Sequence, residues 1–275
     1  MPPTAAQAEF ICPDPSGKDV IHVDVLIDSS PDLRTWSPMV SDGPAWSIRQ
    51  SGVRRCLCLG EPSTVSPAGL VACWQDEVTQ ATVYSGPDYV RARGTTLEMC
   101  NTAGYPVDQV LLMYYLASRG GLLVHGAGAV ADGRALIFPG VSGAGKTTLT
   151  RQLLANGWAQ VLSDDRVIVR SVDGHQLAYG TPWPGDARVA LNASAPLAAI
   201  LFLARGTETH ITPLSPQQAL HRLLPATSIL WHEPQLLLDQ LAVCERLLGD
   251  IPAYELSWLP DGRVVAHLQQ FLSQR

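Results

Sequence analysis

Residues 134–157 read RALIFPGVSGAGKTTLTRQLLANG: an apolar run, glycines around one lysine, then an amphipathic stretch that stops at Asn156-Gly157. Within it Gly140-Val-Ser-Gly-Ala-Gly145-Lys146-Thr147 satisfies the pattern Gly-x4-Gly-Lys-Ser/Thr. The flanking periodicities put the match between a strand and a helix, the context a phosphate-binding loop requires. Glycines let the backbone curl so that successive N–H groups face inward, and the helix N-terminus adds partial positive charge. Lys18 and Lys146 are the only lysines in the chain, and one of them stands at the invariant position of the pattern. The competing explanation, a glycine-rich turn capping an ordinary helix, leaves that placement to chance. The expected nucleotide-binding set is Gly140, Val141, Ser142, Gly143, Ala144, Gly145, Lys146, Thr147 and Thr148. Lys146 is expected on the β- and γ-phosphates of ATP, and the Thr147 hydroxyl on Mg²⁺, a cation that prefers oxygen ligands.

Upstream, two apolar runs, Gly121–Val130 and Arg134–Pro139, are joined by Ala131-Asp132-Gly133, which predicts a hairpin. Downstream, Ala159–Leu162 predicts a short strand leading into Ser163-Asp164-Asp165, and Val167–Val172 pairs with Gln176–Tyr179 across Asp173-Gly174. A strand at Ala198–Leu203, helices near Pro216–Leu224 and Glu233–Leu248, a strand at Tyr254–Leu259 and a helix at Arg263–Leu272 complete an α/β pattern with a mixed sheet. Residues 1–105 differ. They read as short strands, Val20–Ile27, Ser47–Leu59 and Thr82–Val90, with Pro-, Gly- and Ser-rich joints such as Glu61–Gly69, and they carry no chemical motif. Val107–Arg119, with apolar residues at Val110, Leu111, Tyr114 and Leu116, predicts a helix. The expected organisation is a β-rich region over 1–105 and a P-loop catalytic domain over 106–275.

Asp164-Asp165 follows an apolar strand 17 and 18 positions beyond Thr147. Adjacent carboxylates at a strand end can divide labour, one on Mg²⁺ and one accepting a proton; a solvated surface turn or an N-cap is the alternative. His125 sits on the strand that delivers the loop, as a core residue or beside a phosphate. Gly180–Asp186, with its exposed-looking Trp183, reads either as a gate supplying Asp186 or as a rigid loop. His175, His210, His221, His232 and His267 stand alone and receive no role.

The formal net charge of −6 argues against a nucleic-acid partner, since no basic face is available for counterion release, and Arg54–Arg55 reads as a solvated surface pair. Neither a signal-peptide pattern nor an apolar run of membrane length is present, so no membrane association and a cytoplasmic location are expected. The cysteines at 12, 56, 58, 73, 100 and 244 lack metal spacing and are expected to be reduced.

From Gly121 to Val169 the order of His125-Gly126, the loop, Gly157 and Ser163-Asp-Asp-Arg-Val167 resembles the catalytic domain of HPr kinase/phosphorylase, whose loop lies on a phosphoenolpyruvate-carboxykinase-like fold. The later part of the chain looks like the HPr kinase-related proteins of biosynthetic and peptide-modification settings. The resemblance implies that Asp164 activates an acceptor hydroxyl, that Asp165 binds Mg²⁺, that His125 and Lys146 belong to the active site, and that several copies assemble. Where that family carries a Leu-Glu-x-Arg-Gly-Leu-Gly block, this chain has Gly180–Asp186. The expected activity is an ATP-dependent kinase acting on a hydroxyl of a peptide, protein or small molecule; an ATP-sensing module or a simple NTPase is the alternative.

Overall fold

The computed structural model describes residues 5–11, 20–27, 29, 31–60, 69–158 and 160–274. Cys12, Lys18, Ala159 and most of the Glu61–Gly69 joint lie outside the described residues. The chain divides into two compact units, one built on residues 20–119 with Leu230–Pro234, the other on Gly120–Ile229 and residues 235–274 with the short helix α1 (Ala5–Ala8). The division after 119 leaves the helix at Val107 with the first unit, whereas the change of pattern in the sequence falls at 105.

The first unit is a six-stranded sheet of β1 (His22–Ile27), β2 (Ser37–Asp42), β3 (Trp46–Ser51), β4 (Arg54–Leu59), β5 (Leu70–Gln75) and β6 (Gln80–Ser85), in the order β1-β6-β5-β4-β3-β2. Only β1 and β6 are parallel. The stretch Ser47–Leu59, read above as one strand, is two: the chain reverses at Gly52, whose φ of 59° suits a residue without Cβ. The first expected strand begins two residues later than predicted. The third ends at Ser85 and yields to a 3₁₀ turn at Pro87–Tyr89, while β2 and β5 were not foreseen. A hairpin, β7 (Val90–Arg93) and β8 (Thr96–Met99), follows, then the expected helix α2 (Val107–Ala117). Tyr114 of α2 packs edge-on against Trp74 of β5 at 4.9 Å between ring centres. Free Cys56, Cys58 and Cys73 are buried in a cluster that includes Trp36.

Arg55 and His232 depart from expectation. The Arg55 side chain is 13% exposed and clamps Glu233 through Nε at 2.6 Å, while Nη2 donates to the second oxygen at 3.1 Å. The Tyr114 hydroxyl donates to Glu233 at 3.0 Å and lies 2.8 Å from His232 Nε2. Burial pushes the His232 pKa below the ordinary histidine range, against the opposing pull of Glu233, and burial pushes the Tyr114 hydroxyl up.

The second unit holds β9 (Gly121–Ala131), β10 (Arg134–Pro139), α3 (Lys146–Ala155), β11 (Gln160–Ser163), β12 (Arg166–Val172), β13 (His175–Tyr179), β14 (Ser194–Arg205), β15 (His210–Pro213), α4 (Pro216–Leu223), α5 (Pro234–Asp250), β16 (Ala253–Trp258) and α6 (Arg263–Ser273). Both predicted hairpins form: Asp132 and Gly133 have φ of 50° and 71°, Asp173 and Gly174 of 49° and 80°, the paired positive values of a two-residue hairpin turn. The strands pair in the order β10-β9-β12-β13-β14, and β14 returns to pair with β10, so this part of the sheet closes on itself. β10, β14 and β16 run parallel to one another. Their apolar runs are buried because helices cover both faces. Leu149 and Leu153 of α3 and Val264 and Leu268 of α6 pack with Phe138 and Leu201, while Leu223 of α4 and Cys244 and Leu247 of α5 pack with Ile137 and Ile200. The mixed α/β class expected from the sequence is present, with a mostly β N-terminal region.

Candidate functional site

The loop Gly140–Gly145 leaves the C-terminal end of β10 and runs into α3. Its entry is tied to the neighbouring strand, since the Gly140 N–H donates to the His125 carbonyl at 3.0 Å. Gly143 and Gly145 have φ of 82° and 99°, which lets the backbone reverse before the first helical turn. No side chain caps α3, so the amides of its first turn are left for a ligand. Lys146 is buried and folds back over the loop, donating from Nζ to the Gly140 carbonyl at 2.7 Å and to the Val141 carbonyl at 3.0 Å. Burial lowers its pKa; Asp165 opposes that shift and Arg166 adds to it.

Thr147, Thr148 and the loop line a cavity of about 780 Å³, which also takes in His125, Asp164, Asp165, Gly185 and Asp186. That size lies within the range of small-molecule sites. Every residue of the expected site except Gly140 and Val141 contributes to this wall; Gly140 and Val141 meet it indirectly, through their carbonyls on Lys146.

The two aspartates have different surroundings. Asp164 is 2% exposed, and both its oxygens are taken by backbone amides: Gly185 and Val189 donate to Oδ1 at 2.8 and 3.1 Å, and Ala187 to Oδ2 at 2.6 Å. A Cβ on Gly185 would stand 2.7 Å from Oδ2, so the loop can close on the carboxylate only with glycine there. Asp164 therefore shapes the 185–189 segment and through it the placement of Asp186. Asp165 is about one third exposed, with Oδ1 3.3 Å from His125 Nε2 and Oδ2 3.5 Å from Arg166 Nε. Hydrogen bonding to His125 holds its carboxyl below the usual range, burial opposes this, and Arg166 and Lys146 add to it. Between the two expected readings of His125, the structure gives it a half-buried place on the cavity wall. Trp183, read above as exposed, is buried.

Arg205, Gly206, Trp258 and Pro260 complete the wall, and sequence reasoning did not find them. They follow from topology: they lie at or just past the C-terminal ends of β14 and β16, the parallel neighbours of β10, where ligands of open α/β sheets gather. The only local signal was an arginine and a tryptophan at the ends of apolar runs.

Thr147 and Asp165 are oxygen donors on one wall beside the loop, a chemistry that fits Mg²⁺, which takes few protein ligands besides phosphate oxygens and water. Among the described residues no group of three or more His, Cys, Asp or Glu side chains forms a preformed metal cage. No helix among them is long and apolar enough to cross a membrane.

Fold and cavity define a mixed α/β protein whose parallel strand ends frame a glycine loop and an adjacent carboxylate pair. It belongs to the ScmC family: the family model described as SynChlorMet cassette protein ScmC matches residues 105–272. This overturns the assignment to HPr kinase/phosphorylase-like proteins, since no family model of that kind matches. The physical reason lies in the reach of each signal. A His-Gly, a phosphate loop and an Asp-Asp block describe the local surface around an anion, which unrelated chains can build alike. The family match instead spans the run from Tyr105 to Leu272, including the 180–189 segment where the two patterns part. No curated protein matches the chain.

Proposed function

We propose that the protein is a phosphotransferase of P-loop construction that moves the γ-phosphoryl group of a nucleoside triphosphate, with ATP the expected donor, to a hydroxyl of a peptide, protein or small molecule. One observation carries the reading: the uncapped N-terminus of α3 with buried Lys146 and the His125–Asp165 pair, about one third exposed, face a single cavity. In the transfer, the bond between the γ-phosphorus and the β–γ bridging oxygen breaks and a bond from phosphorus to the acceptor oxygen forms. The nucleoside diphosphate leaves, and the acceptor proton passes to His125, which Asp165 orients. Loop amides and Lys146 hold the phosphates, so that positioning and charge neutralisation supply most of the rate. Thr147 and Asp165 are the residues that would hold Mg²⁺, which supplies further neutralisation of phosphate charge when bound. Asp164, with both oxygens on amides, orders the acceptor-side loop rather than taking the proton, a division different from the one the resemblance implied.

The test is incubation with γ-labelled ATP and a panel of hydroxyl acceptors. Label on an acceptor, lost in Lys146→Ala, is the expected result. Nucleotide binding with no label and no phosphate release would instead identify a sensor, and phosphate release with no labelled acceptor an NTPase.

A further inference from the structure

The cavity has two chemically unlike ends. Asp164, Asp165 and His125 lie at β9 and at the junction of β11 with β12, on one side of the loop, and the amides flanking Asp186 bond Asp164 there. Arg205, Gly206, Trp258 and Pro260 lie on the other side, past β14 and β16. The order β9, β10, β14, β16 makes three interstrand steps, so roughly 14 Å separates His125 from Trp258 along the sheet edge. The phosphate loop leaves β10, inside this span. A triphosphate seated on it can therefore direct its chain one of two ways. Pointing the nucleoside toward Asp165 and Asp186 would bring the α-phosphate against two carboxylates and leave the acceptor to enter beside Trp258, away from His125.

The opposite direction matches each group with its chemistry. Arg205 is exposed and has no ion-pair or hydrogen-bond partner among the described residues, so its planar guanidinium is free to stack on a base or reach a ribose hydroxyl. Trp258 is buried with one ring edge 3.8 Å from where a Cβ on Gly145 would stand, which makes it a rigid apolar floor continuous with the loop.

Resting on the phosphotransferase reading, we infer that the nucleoside end of the donor occupies the Arg205–Gly206–Trp258–Pro260 side and that Arg205 contacts the nucleoside rather than the phosphates. The acceptor then enters from the Asp186 side, where His125 stands to take its proton.

The experiment compares Mg²⁺-ATP with Mg²⁺-tripolyphosphate, the same anion without a nucleoside, in calorimetric titrations of the intact chain and of Arg205→Ala; Arg205 is exposed, so the variant should fold. ATP should bind the parent chain more tightly than tripolyphosphate does, and Arg205→Ala should weaken ATP about tenfold while leaving tripolyphosphate unchanged. Equal weakening of both ligands would make Arg205 a phosphate ligand, and no weakening of either would move the nucleoside elsewhere; both overturn the inference and leave the phosphotransferase reading standing. A parent chain that binds neither ligand removes the phosphotransferase reading and the inference with it.

Discussion

Two polar networks, one in each unit, contain the same kinds of side chain and come to opposite ends. In the first unit Arg55, Glu233, Tyr114 and His232 satisfy one another, and Glu233 is only 6% exposed. In the second, Asp165 and His125 touch at 3.3 Å yet keep about a third of their surface open to a cavity that also holds Lys146. Closure marks a group whose work is to hold the fold, because a buried charge with every partner in place has nothing left for a ligand. Openness, with Lys146 bonded only to loop carbonyls, leaves donors that a phosphate can recruit.

The largest effect should come from the open network. Lys146→Ala should lower nucleotide affinity at least a hundredfold by calorimetry while leaving thermal unfolding of the chain nearly unchanged; an unaltered affinity would end the phosphate-loop reading. Next is the closed network. Glu233→Ala leaves Arg55 without its bidentate partner and should destabilise the first unit by roughly 3 kcal/mol in urea unfolding, with nucleotide affinity intact. If that variant instead loses nucleotide binding at undiminished stability, the contrast between the networks collapses.

Asp164→Asn should cost about 1–2 kcal/mol, because three charge-assisted amide bonds become weaker or mispaired. Phosphoryl transfer should fall while ATP affinity persists. Limited proteolysis should find new cleavage within 185–189; unchanged protection there would deny Asp164 its part in ordering that segment.

The smallest effect is a difference in pH response. His232 has a folded pKa below its ordinary value, so on acidification the unfolded chain takes up the proton first. Stability of the first unit should begin to fall as pH drops below about 6.5 and continue toward the depressed value. Asp165 is also depressed, but for a carboxylate this means stabilisation that is complete above the ordinary aspartate range and lost only as pH falls below it. Melting curves at pH 7.5 and 5.5 should therefore show a loss that His232→Gln reduces and Asp165→Asn leaves in place.

How far these networks could be read beforehand differs in the same way. The Gly140–Gly145 turn between β10 and α3 was legible because a tight glycine loop constrains residue identity within a few consecutive positions, and the flanking hairpin was legible because Asp-Gly tolerates two positive φ values. Arg55 and Glu233 are 178 positions apart, and nothing in either neighbourhood signals the other. Arg54–Arg55 consequently read as solvated surface, and His232 as a histidine alone. In the first unit the Ser51-Gly52 reversal lay inside a run read as one strand, because a single glycine there fits a bulge in a continuous strand as well as a turn.

What the amino-acid order determined by itself is local: the loop, the two hairpins, the helices α3 to α6 and the adjacency of Asp164 and Asp165, each set by conformational preferences acting over a few residues. Tertiary structure decided what those two neighbours do. By folding the 185–189 amides onto Asp164 and leaving Asp165 beside His125, it made one carboxylate a brace and left the other open on the cavity wall. By running β14 and β16 parallel to β10 it also brought Arg205 and Trp258 to the loop from 60 and 113 positions beyond Gly145, a proximity that arises from long-range strand pairing and that no short window of sequence encodes.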